Sequence, residues 1–275
     1  MAGRRDAGRG RSLMWHTSRM CAFDLETTGV DVEADRIVTA AVIGLGGGME
    51  PETSEWLACP GIDIPAEATA IHGITPEYAH EHGDEAYSVV NQIAEALATQ
   101  VRTGAVVVGH NVPFDLTMLD RECRRYELPT LHDRLDGSPL HVLDTRVLDQ
   151  HCLPYRPRPS ETQGARQLVT LAGVYELPWV EAEAHGCSYD AVMAARIVHR
   201  IGSLAHMRPS EWPERIRHHR RPRFWDLKGR TVAELHARQV VWAAEQAAGL
   251  QAHLRKTEPE TVIDGSWPLR PWGES

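Results

Sequence analysis

A mixed α/β fold, with a five-stranded mixed β-sheet flanked by α-helices and a C-terminal helical appendage, is what three features of the sequence predict. Short runs with strand-like patterning recur as far as residue 143, apolar residues at helical spacing separate the later ones, and a last amphipathic run follows a Pro- and Arg-rich stretch. With 275 residues, 42% hydrophobic and 24% charged, the chain is long enough for one sizeable domain and its appendage. No stretch has the apolar length of a membrane span, and the N-terminus lacks the apolar segment of a secretory signal, so a cytoplasmic protein is expected.

Residues 1–19 read as a flexible basic leader rich in Gly and Arg. In residues 21–26, Phe23 and Leu25 alternate with Asp24 and Glu26, the period of a strand. Residues 36–44 and 55–58 give the next two strands, and Gly46, Gly47 and Gly48 between them suit an antiparallel reversal. Val89, Ile93, Ala96, Leu97 and Val101 mark a helix over 85–101, followed by a wholly apolar interior strand at 105–108. Pro113 starts a helix whose inner face is Leu116, Leu119 and Cys123, and residues 141–143 supply the fifth strand. Strands now alternate with helices, which implies parallel additions to the sheet. Helices over 165–175 and 189–201 complete a domain spanning 20–203. Residues 204–230 read as a Pro/Arg-rich linker, and 231–275 as a tail carrying a helix over 232–254 through Leu235, Ala243, Ala247, Leu250 and Leu254. The five cysteines form no C-x-x-C pair and sit in apparent core segments, so they read as reduced, buried, small hydrophobes.

The formal net charge of -9 runs against the basic excess usual in nucleic-acid enzymes. Bulk charge does not locate charge, however, and carboxylates that hold divalent cations present a far less negative face to a phosphate. Asp24 and Glu26, two apart on a strand, point to one side of the sheet within reach of a shared cation. Asp115 falls in the first turn of the helix that follows the apolar strand, and Asp190 lies in line with Ala194, Ile197 and Ile201 on a helix face that should be buried. Taken singly, each has a bland reading: a solvent-facing stripe, compensation of a helix dipole, a helix cap, and for His185 an ordinary loop histidine. Together, four carboxylates and one histidine at strand or helix ends of an α/β chain form a far more specific pattern, because ligands of parallel sheets collect there.

Over residues 20–202 the sequence resembles the DnaQ-like exonucleases of the DEDDh group, within the ribonuclease-H-like superfamily that includes polymerase proofreading subunits. Phe23 to Gly29 (FDLETTG) is similar to the first motif of that family, His110 to Asp115 (HNVPFD) to the second, and His185 to Asp190 to the third. Ile71 to Thr75 (IHGIT) and Leu143-Asp144-Thr145 resemble two further landmarks. Ser188-Tyr189 departs from the usual third motif, a change suited to altering packing or the nucleotide pocket.

The resemblance implies a ribonuclease-H-like fold and a 3'-5' exonuclease acting on single-stranded DNA or RNA ends. It further implies two divalent cations, with Asp24 bridging both, Glu26 on the side that activates water, and Asp115 and Asp190 completing the set. Hard oxygen donors select Mg²⁺ or Mn²⁺ over zinc. His185 is the candidate general base, since neutral imidazole accepts a proton near neutral pH, and Gly186 would let its loop move. Thr27, Thr28 and Gly29 are candidates for holding the terminal nucleotide, with His72, His110, Asn111 and Phe114 as further substrate contacts. Arg215, Arg217, His218, His219, Arg220, Arg221, Arg223, Phe224 and Trp225 suit either nucleic-acid contact or a solvated linker. The pathway stays open between a partner of a DNA polymerase in proofreading and an independent nuclease in repair or RNA trimming. From another class, a catalytically silent binding module is the rival reading.

Overall fold

The computed structural model describes residues 14–273. The elements, in chain order, are β1 (Met20–Thr27), β2 (Ile37–Leu45), β3 (Glu52–Cys59), α1 (Ala66–His72), α2 (Pro76–His82), β4 (Asp84–Glu85), α3 (Ala86–Arg102), β5 (Val106–Gly109) and α4 (Val112–Arg125). There follow α5 (Leu131–Arg134), β6 (Val142–Asp144), α6 (Thr145–Cys152), α7 (Leu168–Val174), α8 (Cys187–His206), α9 (Glu214–Arg217) and α10 (Val232–Leu254). The strand order is β4-β3-β2-β1-β5-β6. β1, β2 and β3 form an antiparallel meander, while β5 and β6 add in parallel beside β1, as the alternation with helices required.

The sheet has six strands rather than the expected five. The sixth, β4, is a two-residue pairing of Asp84 and Glu85 with Ala58 and Cys59, too short and too polar to leave a periodic signal. α3 and α4 pack together against the sheet, while α8 packs across β1, β2 and β5 and meets α6 and α7. The core between these layers is built from Phe23, Val89, Ile93, Leu97, Leu119, Leu143 and Ile197, all fully buried. Burial of this kind is the main favourable term in folding.

Two expectations about the ends need correction. Residues 1–13 of the expected leader lie outside the described residues, but 14–19 are anchored: Trp15 is buried and its indole N–H donates to the Leu227 carbonyl at 3.2 Å. A tryptophan in a Gly/Arg-rich segment is an apolar anchor that composition alone obscures. Residues 204–230, expected as a linker, contain the end of α8, the short α9, and the buried side chains of Trp212, Ile216, Phe224 and Leu227. Apolar residues spaced irregularly among Pro and Arg give no period, yet they pack against α8. α10 runs along the outer edge of β6, where His236 Nδ1 accepts the Val142 N–H at 3.1 Å. Among the described residues no helix is long and apolar enough to cross a membrane. All five cysteines are free; four are buried and Cys59 is half-buried.

Candidate active site

The site forms because β1 outruns β5. β5 pairs with β1 only at Met20, Cys21 and Ala22, so the backbone of β1 beyond that point has an open edge. The N-terminal turn of α4 fills it, and Asp115 Oδ1 accepts the Leu25 N–H at 3.1 Å. Asn111 makes the sharp entry to α4 with a left-handed backbone (φ 67), a conformation asparagine tolerates better than most residues. Its N–H donates to Asp144 Oδ1 at 3.3 Å, and its side-chain oxygen accepts from Arg146 at 2.7 Å.

Asp24 and Glu26 project from β1 toward α8, both half-buried, and their carboxylates lie with the Cys187 thiol in a cluster whose ligand atoms are all within 4.8 Å of one another. Asp190 sits three residues after Cys187 and so on the same side of α8. Burial, then repulsion from Asp115, Glu26 and Asp190, pushes the Asp24 carboxyl well above the usual range. Burial and Asp190 push Glu26 up to about 8. Burial also raises Asp115, against the hydrogen bonds it receives from backbone N–H groups, with Asp144 and Glu26 adding repulsion. Asp190 is raised to about 6 by burial, opposed by the nearby His185 ring and backbone. The four carboxylates from β1, α4 and α8 therefore converge on one locus.

A divalent cation fits this locus. One Asp190 oxygen is buried without a hydrogen-bond partner, and crowded carboxylates with raised proton affinity are what a hard cation with oxygen ligands relieves. Asp24, Glu26, Asp115 and Asp190 are the side chains that would hold it. The Cys187 thiol is held well above its usual pKa by burial and by Asp24 and Glu26, and it shares a 2.9 Å hydrogen bond with Thr39 Oγ1. A protonated thiol is a poor ligand for a hard cation, so it reads as a wall of the site.

His185 is exposed in the turn before α8, in a left-handed conformation (φ 61), with Gly186 between it and the helix. The loop behind it is tied back by Tyr189, whose hydroxyl accepts the Val180 N–H at 2.7 Å and whose ring meets Trp179 edge-on. That is the structural consequence of the unusual tyrosine in the third motif.

The expected substrate contacts divide. Thr27 Oγ1 donates to the Gly29 carbonyl at 2.6 Å, and Thr28 Oγ1 donates to Asp35 at 2.8 Å while accepting the Arg36 N–H. Both hydroxyl protons are thus spent inside the turn rather than offered to a nucleotide, and Gly29 is required because a Cβ there would overlap the Asp35 carboxylate. His72 Nδ1 accepts the Ile74 N–H at 3.1 Å, which orders the 71–75 loop, and its ring lies near the Thr27 backbone at the end of β1. His110 is tied to Thr145 Oγ1 at 2.6 Å and burial drives its pKa down to about 3, so it joins β5 to α6 as a neutral ring. Phe114 is half-buried against the core at the start of α4. Cys187 and Asp144 are not among the expected site residues: the first reads in the sequence as a core hydrophobe, and the second as part of the Leu143-Asp144-Thr145 landmark without a role in the site.

The fold and this acidic centre define a class: a mixed α/β domain of ribonuclease-H-like architecture with carboxylates placed to hold a hard cation. A profile of the exonuclease family matches residues 21–198, and the chain belongs to that family. It is 37% identical over 105 residues to a DNA polymerase III subunit epsilon-like protein of Rhodobacter capsulatus, which covers 36% of this chain and 14% of that protein. It is 26% identical over 187 residues to ribonuclease T of Yersinia enterocolitica, covering 64% of this chain and 80% of that protein. Its fold is similar to that of E. coli exonuclease I in complex with a dT13 oligonucleotide (TM-score 0.52, 18% identity), over 67% of this chain and 41% of that one. The chain thus spans a small part of the polymerase-related protein and less than half of exonuclease I.

Proposed function

We propose that this chain hydrolyses the terminal phosphodiester bond at the 3' end of single-stranded nucleic acid, DNA in the first instance, and releases nucleoside 5'-monophosphates. The carrying observation is the convergence of Asp24, Glu26, Asp115 and Asp190 from three separate elements on one locus. Two divalent cations, Mg²⁺ or Mn²⁺, would supply a nucleophile at neutral pH and neutralise charge on the phosphoryl and leaving oxygens. Asp24, central to the cluster, would contribute to both positions; Glu26, Asp115 and Asp190 complete the ligand set. His185, exposed and next to Asp190, takes the proton of the attacking water. Residues 71–75, near the end of β1, and the start of α4 flank the space for the terminal nucleotide.

The role is that of a cytoplasmic enzyme of DNA repair, replication or proofreading, alone or beside a polymerase subunit. An RNA-trimming activity is the second reading, favoured by the likeness to ribonuclease T along most of that protein's length. The test is the shortening of 5'-labelled single-stranded DNA and RNA with Mg²⁺, Mn²⁺ or chelator, for wild type and Asp24→Asn. Metal-dependent stepwise shortening from the 3' end by wild type alone is expected. Equal activity of the two proteins, or activity in chelator, would refute the assignment.

A further inference from the structure

The chain carries more acidic than basic side chains, yet residues 215–230 hold seven basic side chains and one acidic, Asp226. That segment is fixed to the protein. The Arg223 N–H donates to the Cys152 carbonyl at 2.9 Å, and the Arg220 guanidinium lies 5.1 Å over the ring of Tyr155. These contacts join it to the end of α6 and to residues 153–166, a second Arg-rich stretch.

Beneath this junction Asp149, fully buried, binds two arginines. Arg156 forks onto both of its oxygens, one at 2.9 Å, while Arg166 Nε lies 3.2 Å away and the Tyr175 hydroxyl donates at 2.9 Å. Two cations on one anion leave a net positive charge under the surface, where the lower dielectric extends its field. The same loop ends at the active site. The backbone of Arg166 lies against the His110 ring, and Arg146 beyond it is exposed and bound to Asn111 at the start of α4.

The outer surface is suited to a flexible polyanion with bases. Arg158, Arg217, Arg220 and Arg221 are exposed. Tyr155 and Trp225 are about half exposed, at 49% and 54%. One face of Trp225 lies nearly parallel to buried Trp212 (6.2 Å between centroids, 11° between planes), which makes it a supported aromatic platform. The acids nearby are Glu161, Glu214 and Asp226, the last 3.0 Å from His151.

We propose that this surface, from Arg146 across Arg158 to Arg220, Arg221 and Trp225, is a track for the part of a single nucleic-acid strand that lies outside the active site. Guanidinium groups grip successive phosphates bidentately and the aromatic rings take bases by stacking. Charge complementarity and continuity with the α4 end of the site favour a nucleic-acid strand over an acidic protein as its occupant. The track rests on the nuclease reading for its purpose, but binding to it is measurable separately.

The experiment is fluorescence anisotropy of the full chain, in chelator, with single-stranded oligonucleotides of about twenty and about four nucleotides over a salt series. The proteins are wild type, Arg220→Ala/Arg221→Ala, Arg220→Lys/Arg221→Lys and Trp225→Ala. In the double alanine variant the slope of log affinity against log salt is expected to fall by about 1.4, and affinity for the longer strand by roughly tenfold. The lysine pair keeps the slope, and Trp225→Ala weakens the longer strand roughly tenfold without changing it. Affinity for the shortest strand, and hydrolysis of a small nucleotide ester with Mn²⁺, stay within about twofold of wild type, as active-site events do. Unchanged affinity and slope for the longer strand in the double alanine variant, with an unchanged melting curve, would overturn the track. So would equal losses for both strand lengths, or preference for an acidic protein over the oligonucleotide. If wild type binds the longer strand through these residues but hydrolyses nothing with any metal, the nuclease reading fails and the track stands.

Discussion

The side chain of Gln239 does for Asp144 what a neighbouring strand would do. Its Oε1 accepts the Asp144 N–H at 2.8 Å, and its Nε2 donates to the Val142 carbonyl at 2.9 Å and to its own helix at Leu235. One residue of α10 thereby closes the free edge of β6, and it is fully buried in doing so. Asp144 in turn caps α6, accepting from Arg146 N–H at 2.8 Å, and takes the Asn111 N–H at the mouth of α4.

Replacing Gln239 with leucine keeps the volume and strands two buried backbone groups, each costing about 1–3 kcal/mol. Gln239→Leu is therefore expected to lose about 2–6 kcal/mol in urea unfolding with little change in m. Gln239→Glu buries a carboxylate against the Val142 carbonyl beside Asp144 and should lose at least as much as the leucine variant at neutral pH, because an unpaired buried charge costs more than a missing hydrogen bond. A loss for Gln239→Leu below about 1 kcal/mol would mean that water takes over the β6 edge.

Gly109 controls how closely β5 approaches the end of β1. A Cβ there would sit 2.9 Å from the Phe23 carbonyl oxygen and collide with the Val112 side chain, so both the strand and the helix carrying Asp115 would have to move. Overpacking of this kind costs about 1–3 kcal/mol. Gly109→Ala should also depress activity more than a comparable surface change does, because the strain falls between the carriers of Asp24 and Asp115. A variant as stable and as active as wild type would show that the contact is slack.

The sequence carried the acidic cluster of the structure better than its supports. Asp24 and Glu26 could be read because a strand's period of two fixes their side, and Asp190 because a carboxylate fell in an apolar helical stripe. Gln239 could not: on α10 it looks like any polar position, and only the strand beside it makes its burial favourable. The helix α6 was missed because eight residues make only about two turns, too few for a helical period to stand out in the sequence. Thr27 and Thr28 look like free hydroxyls in a motif, and only the position of Asp35 and Gly29 spends them. Residues 204–230 failed as a linker because four buried apolar side chains without a period can still pack.

His185 is next to Asp190 yet exposed, which separates its expected effect from that of the carboxylates. His185→Ala should lower the hydrolysis rate by about 10²- to 10⁴-fold. Calorimetric titration with Mn²⁺ should find its affinity within about threefold of wild type, since imidazole is not needed to complete a hard oxygen site. Loss of cation binding in this variant would make His185 a ligand instead of a base.

The raised carboxyls also tie stability to pH with a definite sign. A group whose folded pKa lies above its unfolded value holds more protons when folded, so folding is favoured at low pH and that advantage is lost as pH rises through the folded value. Glu26 at about 8 and Asp190 at about 6 set the window, with Asp24 and Asp115 raised in the same direction. In chelator the melting temperature should fall by several degrees between about pH 5 and about pH 8, beyond any change in a variant lacking the cluster. Mn²⁺ binds the deprotonated carboxylates and should restore the loss chiefly at the upper end of that window. Asp24→Asn removes the most crowded charge: it should raise the melting temperature in chelator near pH 8 while shrinking the rise that Mn²⁺ brings. If it lowered stability in chelator and left the response to Mn²⁺ intact, repulsion within the cluster would not be what a cation relieves.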